Sequence, residues 1–146
     1  MSRMIKTGSA PAPVGNYPHA RQAGRLLYLS GIGPRDPATN AVMGDVHDVD
    51  GNLISYDIES QTRAVFANVR AVLQASGAAL ADLVDVTVYL TSMAHDFAGY
   101  NAIWAEVFPD IEGAPCRTTL GISALPTPIA IEMKCIAVLP HADSTE

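Results

Sequence analysis

The stretch IAIEMKCIAV, residues 129–138, alternates like a strand and yet is apolar on both sides. Ile129, Ile131, Met133, Cys135 and Ala137 fall on one face, and Ala130, Glu132, Lys134, Ile136 and Val138 on the other. Successive strand side chains point to opposite faces of a sheet, so such a strand needs cover on both. A chain of 146 residues has room for one domain with one core, here residues 1–146, whose helices can supply the first cover. A second copy of the chain is the simplest source of the other. Charged residues are only 16% of the sequence against 49% apolar ones, lean for a small monomer, which points the same way. An oligomer is therefore expected, with Glu132 near a subunit boundary.

The rest of the chain divides by period. SRMIKT (2–7) reads as a short first strand, GSAPAPVGNYPHARQAGR (8–25) as a Pro/Gly-rich loop, and LLYLSG (26–31) as a second strand. In MGDVHDVDGNLISY (43–56) the DG and GN pairs suggest a turn or hairpin excursion. From Asp57 a helical stripe runs through Ile58, Thr62, Val65, Phe66, Val69, Val72 and Leu73 and stops at Gly77. LVDVTVYLTS (83–92) alternates, with Val86, Val88 and Leu90 on one face. HDFAGYNAIWAEVF (95–108) returns to helical spacing, its stripe Phe97, Tyr100, Trp104, Val107 and Phe108, with His95 or Asp96 as the expected cap. RTTLGIS (117–123) and the final strand follow, separated by ALPTP, whose prolines preclude continuous pairing. Strand, strand, helix, strand, helix, strand, strand: this order predicts an α+β domain with both helices on one face of a mixed sheet.

Several function classes are disfavoured. The net charge is −6 and the nine Lys and Arg form no basic run, so nothing is built to displace counterions from nucleic acid. Cys116 and Cys135 stand in no ligand spacing and read as reduced thiols, which predicts a cytoplasmic setting. No segment is long and apolar enough for a signal peptide or a membrane span. His19, His47, His95 and His141 form no ligand cluster, and HDVDGN lacks the twelfth-position glutamate of a calcium loop, so no metal is expected. The tail HADSTE (141–146) is expected to fray.

Two charges interrupt the last strands. Arg117, Thr119 and Gly121 share one face of their strand, and if that strand pairs with the last one, Arg117 and Glu132 project toward the same side. An ion pair at an interface and a catalytic pair fit this spacing equally well. A guanidinium fork can hold a substrate carboxylate by two hydrogen bonds, and a carboxylate can orient water or carry a proton. By spacing alone, Tyr17 pins its loop, Ser30 bonds to backbone at a strand end, and Asn101 lies off the apolar stripe and faces solvent.

The string CRTTLGISALPTPIAIEMKCIAV resembles the C-terminal signature of the reactive-intermediate deaminase (RidA/YjgF) family. An arginine opens one strand, Leu-Pro sits in the connection, and Ile-Glu lies in the last strand. GNYPHA resembles the family's Gly-Pro-Tyr loop, LYLSG its Ser-Gly strand end, and DFAGYNAIWAEVF its second helix with an embedded asparagine. More narrowly, GDVHDVDGNLISYDIESQT, PCRTT and LPTPIAIEMKCIA resemble the 2-aminomuconate deaminase branch, which hydrolyses an enamine amino acid in the degradation of aromatic compounds.

That resemblance implies a chorismate-mutase-like homotrimer with active sites between subunits, no cofactor, and a small carboxylate as substrate. It implies that Arg117 grips the substrate carboxylate, that Glu132 positions or activates water, and that Tyr17, Ser30, Asn101 and Thr119 line the cleft. Asn16 stands where most members have proline, and Thr119 where many have cysteine, so no essential thiol is implied. General clearance of enamines and imines, and carboxylate binding without catalysis, are the alternative functions. A dicarboxylate substrate calls for a second cation, for which Arg21, Arg35 and Lys134 are the candidates.

Overall fold

The computed structural model of the chain describes residues 2–140, so the expected fraying of 141–146 lies outside the described residues. In chain order the elements are β1 (Ser2–Ile5), β2 (Ala20–Ala23), β3 (Leu26–Leu29), β4 (Val46–His47), β5 (Leu53–Ser55), α1 (Ile58–Ala75), β6 (Leu83–Leu90), α2 (Met93–Val107), β7 (Cys116–Gly121) and β8 (Ile131–Val138). Six of the strands form one sheet in the order β1-β2-β3-β8-β6-β7, and β4 pairs with β5 alone. The β6–β7 pairing is parallel and the other pairings are antiparallel, so the sheet is mixed. The α+β class and the two helices of the sequence reading are borne out.

The helix α1 forms where its stripe predicts. Asp57 caps its start, accepting from the Glu59 amide at 3.2 Å and the Ser60 hydroxyl at 2.7 Å. Gly77, at φ 85°, ends it. There the Ala78 amide bonds back to the Leu73 carbonyl at 2.9 Å, closing a turn that a left-handed residue permits. All seven stripe residues are buried, each large apolar one worth about 1.5–3 kcal/mol on full burial. They pack against Leu27, Leu29, Val86, Val88, Ile131, Met133 and Cys135, the buried sheet face.

Four readings are corrected. Residues 20–23 are a strand, not loop: Gly24, at φ 62°, makes a two-residue reversal that pairs Ala23 with Leu26. The strand ARQA carries no β-branched or aromatic residue, and its pairing rather than its propensity makes it. The cap of α2 is neither His95 nor Asp96, because the helix begins at Met93 behind Ser92. Asn101 is half-buried, not solvent-facing. Finally, β7 does not pair with β8; β6 lies between them.

That last correction decides where the two charges point. Arg117 lies opposite Val86, which lies opposite Cys135, so Arg117 belongs to the helix-covered face. Glu132 lies opposite Tyr89, which lies opposite Leu120, and all three belong to the other face. Arg117 and Glu132 therefore project to opposite sides of the sheet. The face bearing Glu132 also presents Leu26, Tyr28, Lys134, Ile136 and Val138, with Leu26 40% exposed. It is the partly apolar, uncovered face that the last strand predicts.

Candidate functional site

Glu132 sits where the sheet is irregular. Tyr28 pairs with Ile136, but the next link, Ile32 with Met133, resumes one residue out of step. The extra residue in the β3 continuation is a bulge, which re-aims backbone at a strand end. It brings Gly31 beside the Glu132 carboxylate: a Cβ at Gly31 would lie 2.4 Å from Oε2 and 2.8 Å from Cδ. Only a glycine leaves that carboxylate in place. Partial burial pushes the Glu132 pKa above its ordinary value.

A cavity of about 130 Å³ opens over this point, lined by Tyr17, Gly31, Arg35, Thr127, Ile129 and Glu132. Tyr17, Gly31 and Arg35 also line an adjoining smaller recess, together with Ser30 and His19. The Tyr17 hydroxyl oxygen accepts from the Val14 amide at 3.2 Å, so the ring pins its own loop and keeps its proton to donate. Ser30 donates to the Pro18 carbonyl at 2.7 Å, the backbone role that its strand-end position suggests. His19 is buried and ties the Pro-rich segment down, bonding the Pro11 carbonyl and accepting from the Thr7 amide.

Two buried amides on α1, which the sequence reading did not single out, hold this half-site together. Asn68 Nδ2 donates to the carbonyls of Gly33 and Arg35, both at 2.9 Å. Gln61 Oε1 accepts from the Ala130 amide at 2.8 Å. One helix thus fixes the segment carrying Arg35 and the entry to β8. The only sequence signal is polarity: each amide sits next to the apolar stripe where an apolar residue would pack as well.

The second group of residues gathers round Arg117. Its Nη1 donates to Asn101 Oδ1 at 2.8 Å, and its Cζ lies 4.9, 5.2 and 6.0 Å from the ring centres of Trp104, Tyr100 and Phe97. Thr119 joins through a 2.6 Å bond between its hydroxyl and that of Tyr100. Burial drives the Tyr100 pKa up, against the opposing pull of the Thr119 bond and the Arg117 charge. No carboxylate among the described residues lies within 4 Å of Arg117. Aromatic faces and a neutral oxygen hold the guanidinium without neutralising it, which suits a receptor for an anion.

The chain therefore carries two half-sites. Tyr17, Ser30 and Glu132 fall together with Gly31 and Arg35; Asn101, Arg117 and Thr119 fall together with Phe97, Tyr100 and Trp104. The Arg117 and Glu132 of one protomer are not brought together. Among the described residues, no group of three or more His, Cys, Asp or Glu could hold a metal ion. Asp48, in the stretch resembling a calcium loop, accepts from the Asp50 and Asn52 amides and shapes a turn instead.

A mixed sheet backed by two helices, with Glu132 on the inner strand β8 and Arg117 on the edge strand β7, defines the class as a small α+β protein. The model of the family described as Endoribonuclease L-PSP matches residues 7–139, and the chain belongs to this family, the RidA/YjgF family. A RutC family protein of Pyrococcus horikoshii is 39% identical over 94% of this chain and 98% of its own. The 2-iminobutanoate/2-iminopropanoate deaminase of Salmonella typhimurium is 32% identical, over 94% of this chain and 98% of its own. The E. coli protein TdcF, solved with bound serine, superposes with a TM-score of 0.78 at 27% identity, covering 93% of this chain and 98% of that one. The family and fold expected from the sequence are borne out. No helix among the described residues is long and apolar enough to cross a membrane.

Proposed function

We propose that the protein is a hydrolase releasing ammonia from an enamine or imine amino acid, with 2-aminomuconate as its preferred substrate and 2-oxo-3-hexenedioate as the product. The observation that carries this reading is Arg117, half-buried against three aromatic rings with no acidic partner among the described residues. Named relatives that deaminate imino acids support the reaction class. A solved relative holding serine supports a small amino acid or oxo acid as ligand. The preference for 2-aminomuconate rests on the resemblance of the 44–62 excursion and of the last two strands to that branch of the family.

The enamine first tautomerises to its imine, whose carbon is electrophilic. Water adds to that carbon, the C=N electron pair moves to nitrogen, and a carbinolamine forms. A proton passes from the added oxygen to nitrogen, the C–N bond breaks, and ammonia leaves behind a 2-oxo acid. Arg117 holds the adjacent carboxylate through both arms of its fork, which lysine cannot reproduce. Glu132 orients the water and carries the proton, a role helped by a pKa raised toward the working pH. Tyr17, Ser30, Asn101 and Thr119 shape the cleft.

Because Arg117 and Glu132 lie on opposite faces of one sheet, a shared site needs Arg117 of one protomer and Glu132 of the next. The homotrimer that the family resemblance implies provides such boundaries, and the open face offers apolar surface for them.

The test is ammonia release from freshly generated 2-aminomuconate and from 2-iminobutanoate, each corrected for spontaneous hydrolysis. Preference for the six-carbon dicarboxylate is expected, with Glu132→Gln and Arg117→Ala each losing about a hundredfold or more. Activity confined to the short imine favours the second reading, general imine clearance, which the names of the relatives also suit. Carboxylate binding without acceleration of either substrate would make the protein a binding module.

A further inference from the structure

Arg35 and Arg117 are the two arginines that are not exposed. The Arg35 guanidinium is held by neutral oxygens, Asn40 Oδ1 at 2.8 Å and the Ala12 carbonyl at 2.9 Å, which leave its charge unneutralised. No carboxylate among the described residues lies within 4 Å of it. That charge is free to meet an anion entering the cavity, where a guanidinium fork can take a carboxylate by two hydrogen bonds.

Its placement says which anion. Arg35 lines the same cavity as Tyr17, Gly31 and Glu132, on the wall set by the Asn68 clamp on its own carbonyl. The other two candidate cations lie elsewhere. Arg21 is exposed on β2 and donates to Ser2 Oγ at 2.8 Å. Lys134 turns its ammonium to the Leu29 carbonyl and does not line the cavity. The segment also carries anchoring that a surface arginine would not need: Pro34 is buried, Gly33 packs against Ile129, and two bonds from Asn68 fix the backbone on either side of Pro34.

We propose that Arg35 is a specificity residue, receiving the second carboxylate of the substrate, the one remote from the reacting carbon, so that the site selects dicarboxylic over monocarboxylic enamines and imines. This rests on the deaminase reading for its reaction and on the cavity for its geometry. Arg117 holds the carboxylate next to the reacting carbon, Glu132 works between, and Arg35 fixes the far end.

Binding of unreactive probes separates the two claims. Wild-type protein is titrated by calorimetry with trans,trans-muconate and with sorbate, which share a six-carbon diene and differ in the number of carboxylates. Wild type is expected to bind muconate at least tenfold more tightly than sorbate. Arg35→Met should erase that ratio and Arg35→Lys should keep part of it, because the charge remains while the fork is lost. Equal binding of the two probes by wild type overturns the proposal, as does an Arg35→Met protein that still prefers muconate. A folded Arg35→Met protein that loses both probes equally also overturns it, since Arg35 then only braces its loop. The deaminase reading fails on a different result, the absence of catalysed ammonia release from either substrate, whatever the probes do.

Discussion

At Gly31 one missing carbon decides the position of a carboxylate. A Cβ there would stand 2.4 Å from Glu132 Oε2, closer than any real contact, but the atom it meets is the end of a flexible side chain. Gly31→Ala should therefore fold with a melting temperature close to wild type while pushing the carboxylate aside. A displacement of this size from the working position costs about a hundredfold in kcat. Rates of ammonia release for the variant beside its melting curve check this, and an unchanged rate would remove Glu132 positioning from the mechanism. The sequence shows the residues of this site without their partners. Spacing leaves Arg117 and Glu132 evenly balanced between an ion pair and a catalytic pair and gives Tyr17, Ser30 and Asn101 ordinary structural roles, so it is resemblance that points to these residues and to Thr119 as a site. The buried amides Gln61 and Asn68 escaped because a polar residue beside a helical stripe looks like surface until the segment it clamps is known.

At the scale of elements, long periodic segments were legible and short ones were not. The α1 stripe, the β6 alternation and the two-faced β8 carry enough residues for their period to show, and the structure has them all. β2 has four residues and no strand-forming side chain, so its existence depends on its neighbours β1 and β3. The start of α2 was misplaced because Asp96 looks like a cap and serves instead as a tie. It is fully buried, contacts His95, and accepts from the Tyr56 hydroxyl at 2.7 Å, fastening the segment before α1 to α2. Removing that donor in Tyr56→Phe leaves a buried carboxylate oxygen short of a partner and should cost about 1–2 kcal/mol in denaturant melts. The contribution has a pH signature. Burial first, then the Asp96 bond, push the Tyr56 pKa to about 12, so the folded state keeps a proton that the unfolded chain sheds near pH 10. The stabilisation is thus complete below about pH 10 and fades as pH rises toward about 12. Melts of wild type and variant at pH 9, 10 and 11 should show the wild-type advantage shrinking; an advantage constant across that range would mean that the Tyr56 proton is not involved.

For the whole molecule the decisive fact is one that no sequence pattern contains, the strand order. The two charged strands are consecutive in the chain, and consecutive strands usually pair, which would have put Arg117 and Glu132 on facing positions. Insertion of β6 between β7 and β8, with the register it imposes, instead puts the two side chains on opposite faces of the sheet. On the proposed mechanism a protomer on its own holds two unfinished halves, which the expected oligomer would complete. This arrangement makes a prediction about mixtures. Glu132→Gln protein keeps Arg117, and Arg117→Ala protein keeps Glu132, so a boundary built from one of each in the correct sense carries an intact pair. With random assortment around a closed ring, about a quarter of boundaries are intact, because each side has about an even chance of the required protomer. Co-expressed or co-refolded mixtures of the two inactive variants should recover about that fraction of wild-type ammonia release, while the same proteins mixed after separate assembly should not until subunits exchange. Failure to recover any activity in verified mixed oligomers would place both residues' work within single protomers, against the faces on which the sheet sets them.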